Sequence, residues 1–268
     1  MLSNTSRTLT YLNALLYAVL GAALFFMPEQ LAPVFAWKVT AFMTMTIGGW
    51  CLGNAWLAFF SARRWTWTQT QPSMLYLWTF GILELLVLIQ FREKVQLVHP
   101  IAWLYIATLL VNALAAVVGI LDLIRIRPTI DQSAKRANTW QVMGLVGFIL
   151  FVSFLGVYGI TAQIGDAGTS GGIFPEAMSL FTLRSFGAFY LSLALTVIPL
   201  WWNRNQQTVL SHGFLSYGFI IFITTAAFAY IKLFDFTNRP GGLAYFGAYI
   251  AVGIVFLINF FKHGIGTR

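Results

Sequence analysis

Apolar residues fill this chain in eight long blocks, residues 9–27, 34–60, 73–91, 100–124, 140–160, 177–201, 213–234 and 243–261, separated by short polar connections. Each block is about the 20 residues that an α-helix needs to cross the hydrocarbon layer of a bilayer. The runs are continuous rather than short and alternating, so strands are not expected. The pattern predicts an all-α integral membrane protein with eight transmembrane helices. The first block follows Arg7, as a signal peptide would. It is nevertheless a full span in length with no small-x-small cleavage site after it, and it reads as a membrane helix.

Composition agrees with that pattern: 59% of the 268 residues are hydrophobic and 9% charged, against roughly 25% charged in soluble domains. A net charge of +8 would suit nucleic acid if it were gathered in one patch, but the cations are spread through the connections. Membrane lipid and other membrane protein subunits are therefore the expected partners, and nucleic acid is not. With eight spans, one side receives Arg7, Arg63, Arg64, Arg125, Arg127, Lys135, Arg136, Arg204, Lys262 and Arg268, while the other receives Arg92, Lys94 and Arg239. The positive-inside rule then places both termini in the cytoplasm, in what is expected to be a prokaryotic cytoplasmic membrane. The single cysteine, Cys51, excludes an intrachain disulfide and a thiolate metal cluster.

Two stretches repeat an order of residues. MPEQLAPVFAWKVTAF at 27–42 and FPEAMSLFTLRSFGAFYL at 174–191 each carry a Pro-Glu pair, an apolar turn, one cation and the body of a helix. Lys38 and Arg184 are those cations. Together with the four blocks on either side, and with alignment of the connections that begin at Phe91 and Leu233, they indicate a tandem duplication. Residues 1–124 form the first four-helix repeat, 125–139 a cytoplasmic linker broken by Pro128, and 140–268 the second repeat. An even number of spans per copy makes the repeats parallel, related by an axis along the membrane normal.

Four ionisable residues fall within the blocks and are candidates for a ligand site: Arg184, Glu84, Lys38 and Lys232. Such groups cost roughly 2.5–3.5 kcal/mol each on insertion scales, so they face the bundle interior and find partners. At 1.5 Å of rise per residue, Glu84 and Arg184 both lie about 10–12 Å from the outer end of their helices and are expected to pair. The pair either fixes the register of the two halves or, with Lys38 and Lys232 nearer the surface, forms a cationic pocket for a phosphate, a carboxylate or a quinone-like head. Snorkelling to the interface is the plainer account of both lysines.

Signals for a cofactor or for catalysis are negative. His99, His212 and His263 lie at the ends of blocks, which leaves no intramembrane histidine to ligate haem or chlorophyll, and the cofactor is unknown. No Walker A run, dinucleotide fingerprint, HExxH or nucleophile elbow is present.

The run Arg184-Ser185-Phe186-Gly187-Ala188-Phe189-Tyr190-Leu191 resembles the Arg-x-x-Gly-small-aromatic run in the second helix of DoxX-like four-helix membrane families. The first copy departs from it, with Lys38 in place of Arg and Gly48-Gly49 further along. This resemblance implies two four-helix units, and a role such as accessory membrane subunit of a quinone-linked oxidoreductase. The residues themselves point to a subunit or scaffold without catalytic activity, binding lipid, pigment or protein partners in the bilayer. A small transporter or flippase with its site at Glu84 and Arg184 is the alternative.

Overall fold

The computed structural model describes residues 1–130 and 135–263. In chain order the helices are α1 (Asn4–Phe26), the single turn α2 (Pro28–Leu31), α3 (Ala41–Arg64), α4 (Trp67–Gln90), α5 (Pro100–Ile126), α6 (Thr139–Thr161), α7 (Leu180–Asn203), α8 (Gln206–Ala229) and α9 (Gly241–His263). Short 3-10 turns occupy Ala32–Val34, Arg92–Lys94 and Ile231–Leu233. Among the described residues the one β pairing is an isolated bridge from Arg136 to Asn205.

The helical class is as the hydrophobic blocks predict. Seven helices are long and apolar enough to cross a membrane, and the eighth long one, α3, is not apolar enough. Its setting explains why: 16 of its 24 residues are buried, Thr44, Thr46, Asn54 and Ser61 among them. A helix wrapped by protein meets little lipid and has no need of a fully apolar surface. By contrast, α5 turns Leu110, Leu114, Val117 and Leu121 outward at helical spacing, each more than half exposed.

Helix starts differ from the block edges because a capping side chain, not a rise in hydropathy, sets the first turn. Ser3, Thr40, Asn138, Ser179 and Asn205 each accept from the backbone N–H three residues on. Thus α3 begins at Ala41 instead of 34, and α8 at Gln206 instead of 213. The chain leading into α3 is itself buried at Phe35, Ala36 and Trp37. Trp37 stacks on Phe181 with ring centroids 4.2 Å apart and donates its indole N–H to Thr182 at 3.0 Å. Two expected placements are corrected here: Lys38 lies in this connection and Lys232 in the 3-10 turn after α8, both exposed and neither inside a helix. Trp65 and Trp67 are buried, whereas Trp140, Trp201 and Trp202 are exposed.

Pro72 falls inside α4, where it withholds the N–H that would bond to the Thr68 carbonyl. The Thr208 hydroxyl of α8 donates to that carbonyl at 2.6 Å. A sequence break in one half is thereby met by a side chain from the other. The two halves also meet where α3 packs on α8 and α4 on α7, with Trp50 stacked on Phe189 at 4.9 Å and Tyr76 edge-on to Phe219 at 5.4 Å.

Within the halves, α1 packs on α3 and α6 on α7, each crossing at glycine. A Cβ on Gly48 would lie 2.6 Å from the Phe25 nitrogen, and one on Gly187 would lie 2.6 Å from the Ile160 nitrogen. Only a hydrogen fits there. The halves differ in two contacts: α3 packs on α4 whereas α7 barely touches α8, and α1 packs along α5, whereas α6 and α9 meet only briefly and leave an opening.

Connections are held by specific bonds. Ala137 donates to the Arg204 carbonyl at 2.7 Å and Gln206 to that of Lys135 at 2.9 Å, which ties the end of the linker to the α7–α8 turn. The glycine-rich segment after α6 is anchored where Gly168 donates to the Tyr158 hydroxyl and Arg239 to the Gly171 carbonyl.

Candidate functional site

Arg184 stands in the second turn of α7, half-buried, and its guanidinium donates to the carbonyls of Gly159 at 2.9 Å and Ala162 at 2.7 Å. These belong to the end of α6, where carbonyls lack partners within the helix and the helix dipole is negative. Gly187, less than one turn further along, brings α7 close enough for the side chain to reach them. Arg184 is thus a cap supplied by one helix to the end of another.

Glu84 has a different partner. Its Oε1 accepts from the Tyr105 hydroxyl at 2.7 Å in a fully buried setting. The expected Glu84–Arg184 pair is not formed: the guanidinium is taken by two carbonyls at the end of α6, and Glu84 turns one oxygen to Tyr105. Ser185, beside Arg184 in sequence, is what reaches the Glu84 side of α7: with Trp50, Asn54, Tyr105 and Glu84 it borders an enclosed cavity of about 20 Å³. Asn54 Oδ1 and Nδ2, Trp50 Nε1, Glu84 Oε2 and Ser185 Oγ have no hydrogen-bond partner. A space of this size holds one water. Next to it, Asn13 donates to Asn112 at 3.1 Å and Asn112 to Tyr17 at 2.9 Å, which gives the first half a polar heart. Asp122 of α5 accepts from the hydroxyls of Ser3 and Ser6 at the start of α1.

A larger space lies in the second half. The opening between α6 and α9 leads into a cavity of about 570 Å³ walled chiefly by α6, α8 and α9. Phe148, Phe151, Val252 and Phe256 supply apolar wall, and the polar side chains bordering it are Gln141, His212, Ser216, Tyr217 and Asn259. None of the bordering residues carries a formal charge with histidine neutral. Three glycines enlarge it in a way unlike Gly48 and Gly187. A Cβ on Gly147 would meet nothing within 4 Å, one on Gly144 only Val255 at 3.6 Å, and one on Gly213 only the Phe256 ring at 3.8 Å or more.

His212 corrects the expectation that no histidine lies inside a membrane helix. It sits in the second turn of α8, 5% exposed, with Nδ1 3.1 Å from Ser73 Oγ and Nε2 without a partner. The signal for it was a polar stripe at four-residue spacing, Thr208, His212 and Ser216, running into an apolar block. Hydropathy averaging hides such a stripe.

At the other end of the bundle each Pro-Glu pair reaches into the opposite half. Glu29 accepts from the Tyr230 hydroxyl at 2.8 Å and Glu176 from that of Thr40. Burial, the hydrogen bond to Glu29 and the nearby carboxylates push the Tyr230 phenol up to about 12. Among the described residues no three His, Cys, Asp or Glu side chains gather as a metal site. No protein-family model, curated protein or solved structure matches the chain.

Proposed function

We propose that the protein is a polytopic membrane binding protein without catalytic chemistry of its own, and that it holds a small lipid-soluble molecule in the cavity between α6, α8 and α9. One observation carries this reading: an apolar space of about 570 Å³, beside an opening between α6 and α9, widened by glycines that no packing contact requires. Close-packed interiors leave few voids larger than a water, so a space this large is a ligand site by default.

The same reading takes α3 as an eighth span, with both termini cytoplasmic, and the chain as two parallel repeats. Support for duplication comes from matched elements. The 24-residue helices α3 and α4 and the turn Arg92–Lys94 recur in the same order and lengths as α7, α8 and Ile231–Leu233. Trp65 and Arg204 end the first helix of each pair in the left-handed conformation. Counted from the caps Thr40 and Ser179, Gly48 falls on Gly187, so the register differs from the one that matches Lys38 to Arg184. On this reading the DoxX-like resemblance is one of helical unit, and Arg184 serves that unit as a cap. A transport path through Glu84 and Arg184 would need the two groups in one passage, and their separate partners direct the reading to the cavity.

Purification in mild detergent followed by mass spectrometry of the extracted small molecules tests it. A lipid-soluble compound near one per chain, lost when Gly147→Leu and Gly213→Leu fill the space, is the expected result. A folded protein with nothing bound, or one whose bound compound survives both substitutions, would sink the proposal.

A further inference from the structure

We infer that the cavity takes one acyl chain of an anionic phospholipid, whose phosphate head stays outside, at the end of the bundle where α6 starts and α9 finishes. This rests on reading the cavity as a ligand site and adds the class of its occupant. Depth is the first observation. The bordering residues run from Gln141 to Phe151 on α6, from Val209 to Ile221 on α8 and from Phe260 to Ala248 on α9. At 1.5 Å per residue these stretches are about 15–18 Å long, close to the hydrocarbon depth of one leaflet, half of a core of about 30 Å. Each begins within about a turn of a helix end and stops near the middle of its helix. The cavity therefore spans one leaflet, and the opening between α6 and α9 joins it sideways to the lipid. A chain can pass into it without leaving that leaflet.

Charge separates the head from the chain. No Lys, Arg, Asp or Glu borders the cavity, so a phosphate inside it would lose its hydration with no counter-charge in return. Cations stand just beyond its outer end instead. Lys262 is exposed and follows Val255 by seven residues and Asn259 by three, which places it on the stripe of α9 that borders the cavity. Arg136 and Arg204 are exposed and lie together, because Arg136 bridges to Asn205 and Ala137 donates to the Arg204 carbonyl at 2.7 Å. Among the described residues the acid at this end is Asp122, which is engaged by Ser3 and Ser6 at the start of α1. Exposed Trp140, Trp201 and Trp202 stand at the same level, the headgroup depth that tryptophan favours. A phosphate head at that depth meets the cations while one chain fills the cavity and the other remains in the bilayer.

Native mass spectrometry of the full-length protein in neutral detergent measures binding of three lipids with the same chains: dioleoyl phosphatidylglycerol, which is anionic, dioleoyl phosphatidylcholine, which has no net charge, and dioleoylglycerol, which has no phosphate. Phosphatidylglycerol should bind about tenfold more tightly than either of the others, the scale expected for a few cations near a membrane surface. Arg136→Gln, Arg204→Asn and Lys262→Gln together should bring it to the level of phosphatidylcholine while leaving dioleoylglycerol unchanged. Lys262→Gln alone should reduce the preference about threefold and serves if the triple variant does not fold. Gly147→Leu with Gly213→Leu, or Gly147→Leu alone if the pair does not fold, should weaken all three lipids about tenfold or more. Equal binding of the three by the wild type, or a preference unchanged in the charge variants, overturns the anionic head and leaves the cavity as a site for any apolar chain. Phosphatidylglycerol binding that survives the leucines puts that lipid on the surface only and overturns the placement of its chain. Dioleoylglycerol judges the cavity separately: no binding to the wild type, or binding indifferent to the leucines, overturns the cavity reading itself.

Discussion

Replacing Arg184 by Met takes two charge-assisted hydrogen bonds from the last carbonyls of α6, which have no other partner within their helix. A loss of about 2–4 kcal/mol is expected, read as a lower midpoint of thermal unfolding in detergent, and Lys should recover only part of it because it lacks the planar fork. Glu84 tests differently, since its bond to Tyr105 is buried. Glu84→Leu strands the phenol and should cost about 1–3 kcal/mol, while adding Tyr105→Phe should return part of that loss, because an apolar pair leaves nothing unsatisfied. A double variant less stable than the sum of the singles would contradict this account. Tyr230 provides a pH signature. Its phenol is raised from an ordinary value of 10.0 to about 12 by burial and by Glu29. The folded state thus keeps a proton that the unfolded chain releases earlier. Its contribution to stability is complete below pH 10 and is lost as pH rises through about 12, and Tyr230→Phe should flatten stability curves over that window.

Helix crossings separate two uses of glycine. At Gly48 and Gly187 a Cβ would strike backbone at 2.6 Å, so Gly48→Val or Gly187→Val should destabilise by about 1–3 kcal/mol or more through forced separation of the helices. Gly147, where a Cβ meets nothing, should accept Ala with no loss, and even a gain of up to about 1 kcal/mol, because glycine is a poor helix former. If all three substitutions cost the same, the distinction between crossing glycines and cavity glycines fails. The helix ends teach a related lesson. Ser3, Thr40, Asn138, Ser179 and Asn205 are ordinary capping residues, legible in sequence, yet hydropathy blocks placed the starts of α3 and α8 elsewhere. Polar turns such as Gln206–Thr208 are unsuited to lipid and suited to a seam, and only the seam shows where they belong.

Joined through α3 on α8 and α4 on α7, the halves should assemble without a covalent linker. Residues 1–130 and 135–268 expressed together as two chains are expected to copurify, with each alone poorly recovered; two halves that purify separately and fold unaided would argue against a shared core. What the chain alone determined is its class. Long apolar runs, few charges and cations crowded into alternate connections specify helices in a membrane, because lipid imposes that requirement on every exposed face whatever the packing. Which faces escape the requirement was decided by tertiary structure. Burial in the middle of the bundle excuses α3 from being apolar, a neighbouring helix end gives Arg184 its partners in place of Glu84, and a partner serine from the other half takes His212 out of the interface. The cavity is the extreme case. It exists because α6 and α9 diverge where α1 and α5 do not, a difference between pairs of helices far apart in sequence that no local pattern contains.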